Sequence, residues 1–154
     1  MISPNTIESF ERDTEQYCRQ LGSRLTHKRK IVLKALLLSG KSLSAYELID
    51  YCKDELEEDV PPISMYRTLN YLTDQGLAHK LDLTNKYVLN NSLDELPKNS
   101  LFLICEHCQK VERIEISEST MQELSKNAEQ AGFNISSKQI EIKCICNECA
   151  ALQQ

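Results

Sequence analysis

Apolar residues in the first forty positions recur with the spacing of helices. The segment from about Ile7 to Leu21 predicts a first helix with a polar surface, and Gly22 ends it. A second helix is predicted after Thr26, and Gly40 stops it. Its apolar face consists of Ile31, Leu33, Ala35, Leu36 and Leu38.

Two further helices have clear start signals. Ser44 followed by Glu47 is a capping box, which predicts the start of a third helix. In the fourth helix Ser64 is the predicted cap, and the apolar face ends before Gly76. That face consists of Met65, Leu69 and Leu72, whereas the opposite face carries Tyr66, Arg67 and Asn70. The second set can reach base edges and phosphates, so this helix offers one face to a core and one to nucleic acid.

Two strand-like segments follow the fourth helix. They span residues 77–83 and 86–89, with Thr84 and Asn85 as turn residues. Helices followed by such a hairpin describe a winged helix-turn-helix. Residues 90–100 carry few apolar side chains, as linkers do. We therefore predict a winged-helix domain at residues 1–89 and a linker at residues 90–100.

The last part of the chain, residues 101–154, predicts a small α/β domain. Strands are predicted at residues 101–104, 111–116 and 139–145, with a helix between the last two. Ser119 and Gln122 can form a capping box at the start of this helix, and Gly132 ends it. Its apolar face consists of Met121, Leu124, Ala128 and Ala131. The predicted fold class is therefore α+β.

Charge is distributed unevenly along the chain. The formal net charge is −5, yet no acidic residue lies between Glu15 and Glu47. Seven basic residues fall in that interval: Arg19, Arg24, Lys28, Arg29, Lys30, Lys34 and Lys41. Such a run is ordinarily a solvated surface, but beside the fourth helix it also suits a phosphate backbone.

Seven cysteines are present, and four of them form two C-x-x-C pairs. The pairs are Cys105 with Cys108 and Cys146 with Cys149, and this spacing suits a tetrahedral structural Zn²⁺. Cys144 lies two residues before the second pair and is an alternative ligand. We expect His107 to be exposed, and Cys18 and Cys52 to be small buried apolar groups.

The start of the chain has no signal-like apolar run, and no apolar stretch is long enough to cross a bilayer. These features predict a cytoplasmic protein with reduced thiols and no membrane partner.

Together these residues resemble the ferric uptake regulator family of bacterial metal-responsive repressors, most closely its zinc-uptake branch. The segments that carry the resemblance are residues 24–29, 44–48, 61–67, 75–80 and 87–89. The resemblance implies a homodimer whose N-terminal domains read a double-stranded DNA operator and whose C-terminal domains form the dimer. It implies no enzymatic activity.

The resemblance also implies the residues that contact DNA. Tyr46, Ser64, Tyr66 and Arg67 would contact bases and backbone, and Arg24, Lys28 and Arg29 would contact phosphates. A lone tyrosine is ordinarily a core residue, and this alternative is stronger for Tyr46 than for Tyr66, which lies off the apolar stripe of its helix.

At the sensory metal site the chain departs from the zinc-uptake branch. His79 stands where a histidine ligand is expected, but Asn90, Lys98 and Arg113 occupy the positions of the other three ligands. A protonated Lys or Arg offers no lone pair to a metal. One alternative is that the sensory site is lost and that Lys98 or Arg113 forms ion pairs in place of the metal. Another is that the site is rebuilt from other residues. Candidate ligands for a rebuilt site are His79, Asp82, Asp94, Glu95 and Glu112. A third alternative is control by another ligand, a partner or thiol chemistry.

Two other classes of protein compete with this interpretation. A thiol-redox enzyme is disfavoured because neither cysteine pair opens a helix after a strand in a thioredoxin-like order, and a four-thiolate zinc site leaves no open position for catalysis. A zinc-stabilised protein-interaction module is the second alternative. Salt-dependent DNA binding that relies on Arg67 would separate a DNA reader from it.

Overall fold

The computed structural model describes residues 4–90, 99–137 and 139–153. The chain forms two compact units, residues 1–94 and 95–154. The finer division at residues 89 and 101 stays a prediction, and residues 91–98 of the predicted linker lie outside the described residues.

The described residues of the first unit form four helices and a hairpin. They are α1 (Pro4–Gln20), α2 (His27–Ser39), α3 (Ala45–Leu56), α4 (Pro62–Asp74), β1 (Ala78–Leu81) and β2 (Lys86–Leu89). The two strands are antiparallel, with Ala78 opposite Leu89. Leu43, just before α3, adds an antiparallel bridge to Tyr87 through bonds of 3.0 and 2.8 Å. This arrangement confirms the predicted winged helix-turn-helix.

The predicted start of α2 after Thr26 and the predicted capping box of α3 are confirmed. Thr26 caps α2, and its hydroxyl accepts from the amide of Arg29. At α3 the Ser44 hydroxyl accepts from the Glu47 amide at 3.2 Å, while the Ser44 amide donates to the Glu47 carboxylate at 3.1 Å. Both bonds satisfy amides that a helix start leaves without intrahelical partners.

The predicted cap of α4 at Ser64 is wrong. The helix begins three residues earlier than that cap implies, at Pro62, and Pro61 occupies the cap position without a side-chain hydrogen bond. Proline suits a first helical position because its φ angle is already helical and it has no amide hydrogen to satisfy. Ser64 therefore lies inside the first turn, where its side chain is half-buried.

One apolar core holds the first unit together. Its fully buried members include Val32, Leu48, Met65, Leu69 and Leu72, so α2, α3 and α4 all contribute. Leu77 and Tyr87 extend this core to the hairpin. The wing is thereby fixed to the helices by buried side chains.

As far as the structure describes it, the second unit is a three-stranded sheet with two helices. Its elements are β3 (Ser100–Cys105), β4 (Val111–Glu115), α5 (Glu118–Gln130), β5 (Gln139–Cys144) and α6 (Asn147–Leu152). The strand order is β4-β3-β5, with β3 antiparallel to β4 and parallel to β5. The parallel pairing requires a crossover, which α5 provides.

Two details of the second unit differ from expectation. The predicted capping box at Ser119 and Gln122 is wrong, because Ser117 caps α5 and its hydroxyl accepts from the Thr120 amide at 3.2 Å. Ser117 has an extended backbone, as a cap requires, whereas Ser119 already lies in the helix. The sequence analysis also missed α6, which is only six residues long. Because α6 follows β5 directly, Cys146 and Cys149 do open a helix after a strand, contrary to expectation, and a thiol-redox enzyme is disfavoured by the closed four-thiolate site.

Candidate nucleic-acid interface and metal centre

Four cysteine sulfurs meet in the second unit. The Sγ atoms of Cys105, Cys108, Cys146 and Cys149 all lie within 4.8 Å of one another. Within the described ranges these four residues are the one group of three or more potential metal ligands. The predicted pairs therefore come together in three dimensions.

Local structure explains how the four residues converge. Cys105 ends β3, and Cys108 lies in the turn that leads to β4. The positive φ of Gln109 and the bond from the Cys105 amide to the Lys110 carbonyl, 2.9 Å long, close this turn. Cys146 caps α6 and Cys149 lies in its first turn. Since β3 and β5 are neighbours, their ends deliver both pairs to one place.

The spacing of the sulfurs fits zinc. Zinc–sulfur bonds of about 2.3 Å in a tetrahedron separate the sulfurs by about 3.8 Å. The sulfurs of Cys108 and Cys146 are 3.7 Å apart. Four thiolates fill a tetrahedral site and leave no open position, which is the arrangement of structural zinc.

Hydrogen bonds prepare one of the four thiols to be a thiolate. Backbone amides of Cys108 and Cys146 lower the pKa of Cys105 to about 6. One of these contacts runs from the Cys146 amide to the Cys105 sulfur at 3.4 Å. Hydrogen bonding with Cys146, together with burial, raises the pKa of Cys149 to about 12. Bringing all four to the thiolate form therefore requires a cation, and zinc binding must release protons.

The remaining cysteines and His107 lie outside this cluster. The half-buried Cys144 sulfur is 3.6 Å from the carbonyl oxygen of Ile104. His107 is exposed, as predicted, and contacts Gln153. Cys18 and Cys52 are fully buried, which confirms their assignment as apolar groups. Burial raises the pKa of Cys52 to about 11.

The second candidate site is the solvent-facing side of α4. Tyr66 is 42% exposed, and Arg67 and Asn70 are also exposed, whereas Met65 and Leu69 on the other side are fully buried. The two predicted faces of this helix are confirmed. Ile63, one turn before Tyr66, is 70% exposed and was missed, although its i, i+3 spacing could have indicated it.

Tyr46 also faces solvent. It lies in the first turn of α3 and is 63% exposed, so the alternative of a core position is wrong. The reason is helical geometry: Ala45, Leu48 and Cys52 fill the buried side of α3, and Tyr46 falls between them on the outer side. An exposed aromatic ring has no role in the core and is free to contact a ligand.

Among the basic residues between Glu15 and Glu47, some side chains are exposed and others are bonded within the protein. The side chains of Arg24 and Lys28 are exposed. Arg29 is half-buried: its guanidinium lies 3.4 Å from the centre of the Tyr71 ring, and its Nη1 donates to the Arg24 carbonyl at 2.6 Å. Lys30 forms an ion pair with Glu15. Arg24 and Lys28 are therefore better placed for a phosphate than Arg29.

Two of the residues at the predicted sensory positions, Asn90 and Arg113, are hydrogen-bonded within the protein. Asn90 is 2% exposed, its carboxamide donates to the Gly76 carbonyl at 2.7 Å and its amide to the Leu77 carbonyl at 2.9 Å. His79 is half-buried on β1. Arg113 on β4 donates from Nε to the Ser100 hydroxyl at 3.1 Å. Burial lowers the pKa of Arg113, but guanidinium groups remain charged in proteins.

The described structure does not place His79 in a cluster of metal ligands. Of the other candidates, Asp82 lies in the turn of the hairpin and Glu112 on β4, and both are exposed. Asp94, Glu95 and Lys98 fall outside the described residues. Loss of the sensory site and its rebuilding around His79 therefore both stay predictions.

Apolar side chains remain exposed across the second unit. In the strand register Ile114 and Ile140 flank Leu101, and Ile142 lies beside Leu103. Ile114 and Ile142 are 44% and 46% exposed. None of the residues of α5 is buried, and the predicted apolar face of that helix includes Leu124, which is 42% exposed. An apolar surface of this kind is typical of protein–protein contact.

The fold and its two sites define a class: a winged-helix protein with an appended α/β unit that has a four-cysteine cluster suited to zinc. The family model for the ferric uptake regulator family matches residues 20–143. The chain belongs to the ferric uptake regulator family, whose members are transcription regulators. Its cluster of Cys105, Cys108, Cys146 and Cys149 has the ligands and the spacing that a structural Zn²⁺ requires.

Relatives with known names support the same family. The chain is 32% identical over 152 residues to the zinc uptake regulation protein of Escherichia coli K12, covering 99% of this chain and 88% of the relative. It resembles the structure of a zinc uptake regulator complexed with zinc and DNA, with a TM-score of 0.80 and 31% identity, over 96% of this chain and 97% of the other. It also resembles holo XcZur, with a TM-score of 0.75 and 32% identity over 93% and 98%.

Among the residues that the structure describes, no helix combines the length and apolar character of a membrane span.

Proposed function

We propose that the chain is a homodimeric, sequence-specific repressor of transcription that binds a double-stranded DNA operator. Its sensory response to metal is weakened or lost, and its targets are genes of zinc uptake or related metal homeostasis. The observation that carries this proposal is the exposed face of α4 with Tyr66 and Arg67, in a fold similar to a zinc uptake regulator bound to DNA. The cytoplasm, where DNA and reduced thiols coexist, is the proposed location, and no catalytic role is assigned.

The winged helix would present α4 to the major groove. Arg67 can donate two hydrogen bonds to a guanine, and the Tyr66 ring can pack on a thymine methyl group. Tyr46 and Ser64 would add contacts beside them. Arg24 and Lys28 would neutralise phosphates, and Arg29, which was also predicted to do so, would mainly support the segment that holds Arg24. Phosphate contacts set the register of the helix, and base contacts supply specificity.

A pair of substitutions tests the assignment of α4. Arg67→Ala removes a predicted base contact, and Arg12→Ala removes an exposed arginine of α1 as the matched control. Binding is measured by fluorescence anisotropy on a duplex that the wild-type chain selects from a random pool, and on competitor DNA. We expect Arg67→Ala to lose about 1–3 kcal/mol on the selected duplex and much less on the competitor. Equal losses on both duplexes would contradict base reading by Arg67.

The second unit would form the dimer and contain the zinc. Cys105, Cys108, Cys146 and Cys149 are the proposed ligands, and zinc would cross-link the ends of β3 and β5 to α6. The exposed apolar surface around Ile142 would be covered by a second copy of the chain. The α4 helices of the two copies would then serve as recognition helices and contact successive turns of a palindromic operator.

The proposed weak response to metal rests on side chains that cannot replace ligands. Asn90 uses its carboxamide nitrogen to hold the Gly76 carbonyl, and Arg113 carries a positive charge that repels a divalent cation. A rebuilt site would need carboxylates such as Asp82 or Glu112 next to His79. Control by another ligand or by thiol oxidation is the alternative. The candidate for such oxidation is the thiol of Cys144, close in sequence to the second cysteine pair.

Zinc titration separates these alternatives. Protein that contains only its tightly bound zinc is titrated with buffered free zinc, with iron and manganese as controls, and affinity for the selected duplex is measured. We expect less than about a threefold change, because the missing ligands leave no differential metal affinity between the free and DNA-bound forms. A large gain with zinc alone would show that a sensory site has been rebuilt.

A further inference from the structure

Tyr71 connects several segments of the first unit at one point. It lies in α4, four residues after Arg67, and its side chain is half-buried. Its hydroxyl is hydrogen-bonded to the Ser23 hydroxyl and lies 3.5 Å from the Arg24 carbonyl oxygen. The sulfur of Cys18 in α1 is 3.8 Å from the same hydroxyl. A residue of the recognition helix thus holds the segment between α1 and α2.

The ring of Tyr71 makes a second connection. Arg29 of α2 stacks its guanidinium on this ring at 3.4 Å from the ring centre. The same guanidinium donates to the Arg24 carbonyl at 2.6 Å. The backbone of Arg24 is therefore held by two groups, the Tyr71 hydroxyl and an arginine that rests on the Tyr71 ring. A cation–π contact that is partly shielded from water strengthens this arrangement.

We infer that Tyr71 is a positioning residue for DNA binding, which acts by fixing Arg24 relative to the base-reading face of α4. This inference rests on the proposed function. Arg24 points its side chain into solvent although its carbonyl is bonded inward, so the side chain is free to contact a phosphate. Tyr71 lies in the same helix as Tyr66 and Arg67. It would therefore fix the position of the phosphate contact at Arg24 relative to the base contacts of α4.

The alternative is that Tyr71 only stabilises the fold. Loss of stability lowers the fraction of folded protein, and it reduces binding without changing how steeply binding falls with salt. Loss of a phosphate contact changes that slope, because each neutralised phosphate contributes about 0.9 to the dependence of log K on log salt. The salt slope therefore separates a positioning role from a purely structural one.

The test is Tyr71→Phe, which removes the hydroxyl and keeps the ring beneath Arg29. Affinity for the selected duplex is measured from 50 to about 300 mM KCl, a range in which phosphate contacts dominate. We expect affinity to fall about 3- to 10-fold, the effect of one hydrogen bond, and the salt slope to fall by about one phosphate per subunit. Tyr51→Phe, another half-buried tyrosine on the same core, is the matched control and should change neither quantity.

A double-mutant cycle with Arg24→Ala completes the test. If Tyr71 acts through Arg24, then Tyr71→Phe has no further effect on affinity or slope once Arg24 is alanine. The inference would be overturned if the losses of the two substitutions were additive, or if Tyr71→Phe had normal affinity and a normal salt slope. In either case, binding of the selected duplex by the wild-type chain would still support the proposed function. A wild-type chain that selects no duplex would overturn both.

Discussion

The two units of the molecule are stabilised in different ways. In the first unit α2, α3, α4 and the hairpin share a continuous core in which Leu48, Leu69 and Leu72 are completely buried. In the described part of the second unit only Ser100, Phe102, Ile104 and Cys105 are buried. A short chain segment buries too little surface to be stable without help from metals or a partner. The first unit therefore has a core of its own, whereas under the proposed function we expect the second unit to depend on zinc and on another copy of the chain.

The largest effect is expected from Cys105→Ser, which removes one of the four proposed zinc ligands of the second unit. Loss of one thiolate leaves an incomplete tetrahedron, and structural zinc contributes directly to folding free energy. We expect zinc loss and unfolding of the second unit, while the first unit keeps its own thermal transition. Zinc content by mass spectrometry and two-transition calorimetry measure both. Cys144→Ser is the control and should keep the zinc. A zinc-loaded, dimeric Cys105→Ser variant would refute the ligand assignment.

Ile142→Asp tests the dependence on a partner copy. A carboxylate placed in an apolar contact surface has no partner for its charge, and its desolvation is costly. We expect the dimer to weaken by about a hundredfold or more, which corresponds to about 3 kcal/mol. Analytical ultracentrifugation over a dilution series measures this change. Ile63→Asp makes the same change at an exposed isoleucine of the first unit, and both variants dissociating equally would argue against an interface at Ile142.

Leu48→Ala probes the independent core of the first unit. Removal of a fully buried leucine leaves a cavity, so the free energy of unfolding should fall by about 2–5 kcal/mol. The loss should not depend on protein concentration, in contrast to the effect of Ile142→Asp. Denaturant unfolding at two concentrations provides the measurement. A concentration-dependent loss would mean that the first unit also needs a partner copy.

The smallest effect is expected from Ser44→Ala. It removes the hydroxyl that accepts from the Glu47 amide and should cost the first unit about 1 kcal/mol. Ser64→Ala is the matched control, because the hydroxyl of Ser64 is not a cap in the structure. Thermal unfolding of the first unit measures both variants. Equal losses would restore Ser64 as a capping residue.

Local patterns were sufficient to predict several features of the site. The spacing of Met65, Leu69 and Leu72 placed Tyr66 and Arg67 on the outer face of α4, because a helix has a fixed period. The capping box at Ser44 was predicted because it depends on residues only three positions apart. The start of α4 was wrong because a serine is a common cap, whereas Pro61 and Pro62 begin this helix without one.

The sequence by itself determined the order of the elements as far as β5, the two faces of α4 and the pairing of cysteines, since these follow from short-range spacing. Only the tertiary structure decided the roles that depend on distant neighbours. Arg29 belongs to the basic interval, but the ring of Tyr71, forty-two positions away, is what engages its guanidinium. Likewise Leu124 has the spacing of a buried residue yet is 42% exposed in the described structure, because periodicity marks an apolar face of a helix and not the surface that would cover it.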